Sequence, residues 1–66
     1  MRLLINGDEQ AFSGVSDVAA LVAALALDPR KVAVEHNLAI VPRSTYAATK
    51  LADGDRIEIV CFVGGG

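Results

Sequence analysis

The spacing of apolar residues changes along the chain from strand-like to helix-like and back. Met1 to Asn6 reads as a strand, and Glu9 to Ser13 as a second, shorter one. Asn6-Gly7 lies between them. Both residues accept positive φ, so the pair predicts a hairpin through a type I′ turn, with a bulged turn left open. Gly14 breaks the second strand. Ser16 then stands where a helix N-cap belongs, and Asp17 places negative charge in the first turn. Val18, Leu21, Val22 and Leu25 follow the i, i+3, i+4, i+7 rule and form one apolar stripe. Alanines at 19, 20, 23, 24 and 26 add helix propensity. Asp28-Pro29 ends the helix, because the residue before a proline avoids the α region.

Val32 to Asn37 predicts a third strand with Val32 and Val34 on one face. Leu38 to Val41 is a short apolar run closed by Pro42, which cannot donate to a ladder and so belongs at an edge or an end. Ser44 to Lys50 reads equally as one helical turn or an irregular crossing. Asp53-Gly54-Asp55 signals a turn before the last strand, Arg56 to Val63. Ile57, Ile59, Cys61 and Val63 share one face of that strand; Glu58, Val60 and Phe62 share the other. Both faces are partly apolar, which suits a central strand. The compact solution for this order is a four- or five-stranded sheet wrapped around one helix, with the other sheet face open.

Length and charge narrow the function classes. A chain of 66 residues makes one domain at most. A domain of that size buries only roughly 60% of its unfolded surface, which leaves no volume for a deep, self-supported enzyme cleft. The apolar fraction of 53% is that of a folding chain. No apolar run approaches the about 20 residues of a membrane span, and the start has no signal-peptide pattern. The net charge is −2 with six Lys and Arg spread thinly, so no basic stripe is available for nucleic acid. The single Cys61 has no internal disulfide partner. A cytoplasmic location is expected.

Most polar residues read as structural. Cys61 shares its face with Ile57 and Ile59 and has no neighbouring cation in sequence, so it is expected in the core. His36 lacks companion ligands for a metal and is expected solvated or at a strand end. Asp53 and Asp55 fall far short of a calcium loop. Asp8-Glu9 reads as a hairpin tip. Val60 and Phe62, on the face opposite Ile59, are expected to form an exposed apolar patch near the tail, or to be covered by loops. The Gly64-Gly65-Gly66 tail is the unusual feature. It is slim enough to enter a channel closed to side chains, and it leaves a terminal carboxylate unobstructed. A frayed end is the competing account.

Taken in order, Asn6-Gly7, Val32-Ala33-Val34 leading to Asn37, Ile40-Val41-Pro42-Arg43, Asp53-Gly54-Asp55-Arg56-Ile57-Glu58-Ile59 and Phe62-Val63-Gly64-Gly65-Gly66 make the chain resemble the bacterial thiamine-biosynthesis sulfur carrier (ThiS) family, ubiquitin-like domains of the β-grasp fold. The resemblance covers essentially the whole chain. It departs in placing Tyr46 where many relatives have Trp, and Cys61 at a variable position. It implies an α+β fold, with a mixed four- to five-stranded sheet around one main helix. Residues 1–63 would form the domain and 64–66 a flexible tail.

The resemblance also implies a carrier rather than an enzyme. A ThiF-like adenylyltransferase would take the tail into its ATP site and adenylate Gly66, with Gly64 and Gly65 as the slim stem. Sulfur from a cysteine desulfurase route would convert the adenylate to a thiocarboxylate, for use by thiazole synthase (ThiG). Val60 and Phe62 would serve as the docking face. No cofactor or metal is expected on the carrier, since ATP belongs to the activating partner. Other readings are the small subunit of molybdopterin synthase, a ubiquitin-like modifier joined to lysines, and a binding module whose glycines merely fray.

Overall fold

The computed structural model describes residues 1–62, so Val63 and the Gly64-Gly65-Gly66 segment lie outside the described residues. Strands β1 (Arg2–Ile5) and β2 (Asp8–Ala11) form the first hairpin, followed by helix α1 (Val18–Ala24). A 3-10 turn at Pro29–Lys31 leads into β3 (Val32–His36) and β4 (Ala39–Val41), and a 3-10 segment at Arg43–Ala48 precedes β5 (Arg56–Cys61). The sheet order is β2-β1-β5-β3-β4. β5 runs parallel to β1, with Leu4 opposite Arg56 and Ile5 opposite Ile57, and antiparallel to β3. This is the mixed sheet with one main helix that the sequence predicts.

Both hairpins turn through two residues with positive φ. Asn6 (49°) and Gly7 (87°) join β1 to β2, and Asn37 (50°) and Leu38 (72°) join β3 to β4. Those values define type I′ turns, whose twist matches that of the flanking strands. The first turn therefore has no bulge, and β2 starts at Asp8, one residue before the predicted strand.

The helix differs from expectation at both ends. Its N-cap is Asp17, whose side chain accepts from the Ala20 N–H at 2.8 Å. Ser16 lies one residue outside, because the backbone there is held extended by the 49–51 segment. The Val18 N–H donates to Thr49 C=O, and the Leu51 N–H to Ser16 C=O. At the other end the helix stops well before Asp28-Pro29. Ala26 adopts φ 57°, and its N–H donates to Ala23 C=O while the Leu27 N–H reaches Val22 C=O. This is a Schellman closure with alanine in the position glycine favours. Asp28 instead caps the separate 3-10 turn, accepting from the Arg30 N–H.

The core lies between α1 and one sheet face. Val18, Leu21 and Val22 of the helix pack with Leu3, Ile5, Val34, Ile57 and Ile59 of the strands, all buried. Tyr46 of the second 3-10 segment and Leu51 close the side. Removing apolar area from water at about 25 cal/mol per Å² is the main force holding so small a domain together.

Candidate functional site

Alternation along β5 divides its residues between core and open face. Ile57 and Ile59 point into the core, while Val60 and Phe62 are each 60% exposed. Phe62 is the last residue described, and with both side chains exposed the apolar patch expected there is present. The sheet extends it: Ala33 lies directly opposite Val60 on β3, and Ile40 lies opposite Glu35, which is itself opposite Glu58. Ile40 is 79% exposed and Leu38, at the hairpin tip, 72%. Ile40, Ala33, Val60 and Phe62 thus share the face that α1 leaves uncovered. Sequence reading missed Ile40 and Ala33, because which strand neighbours β5 is set only by the tertiary topology.

Cys61 corrects the expectation of a core position: the thiol is exposed. It is on the core side, opposite buried Val32. But β1 has turned away at Asn6-Gly7, and its last strand pair with β5 is Ile5 with Ile57. Beyond Ile59 that flank of β5 has no strand beside it among the described residues, so position 61 outruns the cover of the core.

Turn asparagines hold β5 from either side, Asn6 near the root of the tail and Asn37 at the start of the strand. Asn6 donates its backbone N–H to Ile57 C=O at 2.9 Å. Its side chain then brackets Ile59: Oδ1 accepts from the Ile59 N–H at 2.7 Å, and Nδ2 donates to Ile59 C=O at 3.1 Å. The amide thus replaces one residue of strand after the chain has turned. Asn37 does the equivalent from the β3 side. Its backbone N–H donates to Arg56 C=O at 2.8 Å, and its Oδ1 accepts from the Arg56 N–H at 2.9 Å. Finally the Phe62 N–H donates to Lys31 C=O at 2.8 Å. Neither side-chain role was visible in sequence, where Asn6 signalled only a turn and Asn37 read as the last residue of the third strand; the structure ends that strand at His36 and puts Asn37 in the turn.

His36 and Asp55 brace the opposite end of β5. His36 is the last residue of β3, at a strand end as expected, and its Nε2 lies 2.6 Å from Asp55 Oδ2, so it is half-buried and bonded rather than solvated. The Ala52 N–H donates to Asp55 Oδ2 and Asn37 Nδ2 to Asp55 Oδ1. Burial pushes the Asp55 carboxyl up, but hydrogen bonds from His36, Ala52 and Asn37 and the charge of His36 outweigh it and hold the carboxyl below its ordinary value. Asp55 therefore does more than flank a turn. Asp53 accepts from the Arg2 N–H at 2.6 Å, which ties the same loop to β1.

Among the described residues, no group of three or more His, Cys, Asp or Glu is placed to hold a metal ion. No described helix is long and apolar enough to cross a membrane. A groove of about 340 Å³ between α1 and the second 3-10 segment, lined by Ala19, Val22, Leu27, Arg43 and Tyr46, lies on the helix side, away from Val60 and Phe62. The expected tail residues Gly64, Gly65 and Gly66 fall outside the described part. The described domain brings to their root an apolar open face and a strand fixed in register on both flanks.

The comparisons bear on this arrangement. The ThiS family model matches residues 3–66. A thiazole synthase from Paramagnetospirillum magneticum is 56% identical over all 66 residues, which make up 20% of that protein. The sulfur carrier protein ThiS of Bacillus subtilis is 46% identical over 46 residues, 70% of each chain. The crystal structure of the thiamine biosynthesis protein ThiS from Geobacter metallireducens superimposes with a TM-score of 0.84 at 36% identity, covering both chains completely. The chain spans only about a fifth of the length of the thiazole synthases it matches.

Proposed function

Since the chain belongs to the ThiS family, we propose that it is a sulfur carrier of thiamine biosynthesis whose Gly66 carboxylate is adenylated and converted to a thiocarboxylate. The observation that carries this reading is the family match running through residue 66, joined to a tail root anchored at Phe62 beside an exposed apolar face. A carboxylate is a poor electrophile until one oxygen becomes a leaving group. Attack of a Gly66 oxygen on the α-phosphorus of ATP, with loss of pyrophosphate, provides one. The terminal sulfur of a persulfide, charged by a cysteine desulfurase route, then displaces AMP. A thiol attacks the resulting acyl disulfide and releases the thiocarboxylate. The carrier is a co-substrate in this scheme, and base, metal and oxyanion donors belong to its ThiF-like adenylyltransferase.

Gly64 and Gly65 act as the stem that enters the ATP site. Ordering the three glycines costs about 3–6 kcal/mol, at roughly 1–2 kcal/mol of backbone entropy each. Docking of the Val60 and Phe62 face on the adenylyltransferase offsets that cost. Thiazole synthase is the sulfur acceptor, a choice favoured over a pterin by the relatives bearing that name. Use of ATP by the activating partner supports a cytoplasmic location.

The test is intact-protein mass spectrometry after incubation with the cognate adenylyltransferase, ATP and a sulfur source. One oxygen should be replaced by sulfur at Gly66, and a chain lacking Gly65-Gly66 should stay unchanged. A truncated chain that still gains sulfur would sink the reading and point to Cys61. Stable adducts to lysines would identify a modifier instead.

A further inference from the structure

The open face carries a second feature that the apolar patch does not explain. Glu35 of β3 and Glu58 of β5 are directly opposite each other. Residues so paired place their Cβ atoms about 4.5–5.5 Å apart, and like charges there destabilise a sheet. Neither carboxylate has an ion-pair partner among the described residues. Arg56 sits on the same face two residues before Glu58 and pairs with neither, while Arg2 is engaged by Glu9. The carboxylates are also framed by apolar groups: Ile40 lies beyond Glu35 in the same row, and Ala33 and Val60 form the next row.

We propose that Glu35 and Glu58 together receive one arginine side chain of the adenylyltransferase that docks on this face. Two cross-strand carboxylates at that spacing match a guanidinium, which offers several donors in one plane and keeps its charge when water is excluded. The apolar surround of Ile40, Val60 and Phe62 excludes that water as the partner seats. Repulsion carried by the free carrier is then released on binding, so the pair adds to affinity what it takes from the stability of the free fold. The proposal rests on reading the open face as the docking surface, and the experiment separates the two.

Binding of the purified adenylyltransferase to the full chain is measured by isothermal titration across a salt series. The variants are Glu35→Gln with Glu58→Gln, Phe62→Ala, and Glu9→Gln as a control of equal sign on the same face. The double Gln variant should melt at or above the parent temperature. It should bind about tenfold to a hundredfold more weakly, with a shallower salt dependence. Glu9→Gln should leave binding unchanged. If the double variant binds as the parent does while Phe62→Ala loses affinity, the arginine receptor is refuted and the docking face stands. If neither change matters, both ideas fall. An equal loss in Glu9→Gln would reduce the effect to net charge and overturn the pairing.

Discussion

Replacing Asn6 by glycine removes the bracket on Ile59 while leaving the turn free to adopt φ 49°. The substitution therefore separates the side-chain clamp from the backbone preference that asparagine and glycine share. Two hydrogen bonds are lost, at 2.7 and 3.1 Å. Ile59 is only 9% exposed, so its N–H is poorly placed to find water. A net loss of about 1 kcal/mol per bond, with part of the about 1–3 kcal/mol penalty for an unpaired buried donor, gives roughly 2–3 kcal/mol. A domain of this size has roughly 3–10 kcal/mol in total, so the change is a large share of it. At about 4–8 °C per kcal/mol, the midpoint should fall by roughly 10–20 °C. Urea titration measures the stability, and amide hydrogen exchange at Ile59 reports the local bond. Asn6→Asp retains the acceptor for the Ile59 N–H and should lose only about 1 kcal/mol. A glycine variant within about 0.5 kcal/mol of the parent, with Ile59 exchange unchanged, would refute the clamp.

Ala26→Gly should raise stability by about 1 kcal/mol, because the residue closes the helix in the left-handed region; calorimetry that finds a loss would contradict the Schellman reading. Leu38→Gly should act in the same direction for the same reason, and its effect on partner binding would show whether the exposed leucine is retained for contact. Because the Asp55 carboxyl is depressed when folded, its stabilisation is present above the ordinary aspartate value of 3.8 and is lost as pH falls through the folded value. Asp55→Asn should therefore be less stable at neutral pH, and the gap to the parent should close in acid. Asp28, held at about 2 by the hydrogen bonds of Arg30, is also depressed and loses its stabilisation in acid, so the comparison uses the difference between the two curves.

Local chemistry made much of the fold legible. Asn6-Gly7 has φ preferences that its own two residues decide, and the Val18, Leu21, Val22 stripe needs only helical periodicity. Errors arose where distant segments intervened. Ser16 loses the cap because Thr49 and Leu51 hold the backbone beside it extended. The helix stops at Ala26 although alanine disfavours that conformation, so no local signal marks the end. Cys61 follows the period of Ile57 and Ile59 perfectly well; what fails is the cover above it, which depends on where β1 turns. The open face was half legible: Val60 and Phe62 follow from β5 alone, but Ile40, Ala33 and the Glu35–Glu58 pair need the register with β3 and β4.

The position of β5 between β1 and β3 has a consequence for damaged chains. The two hairpins touch the same sheet only through this strand, and each offers it an inner edge. A cut before Arg56 would leave β1 and β3 with unpaired backbone groups beside exposed Leu3, Ile5, Val32 and Val34, surfaces that invite strands from other molecules. Such a fragment would have no intermediate fold to rest in, and its fate would be aggregation or digestion. A chain that has lost its last strand would thus be cleared rather than persist as a partly folded decoy.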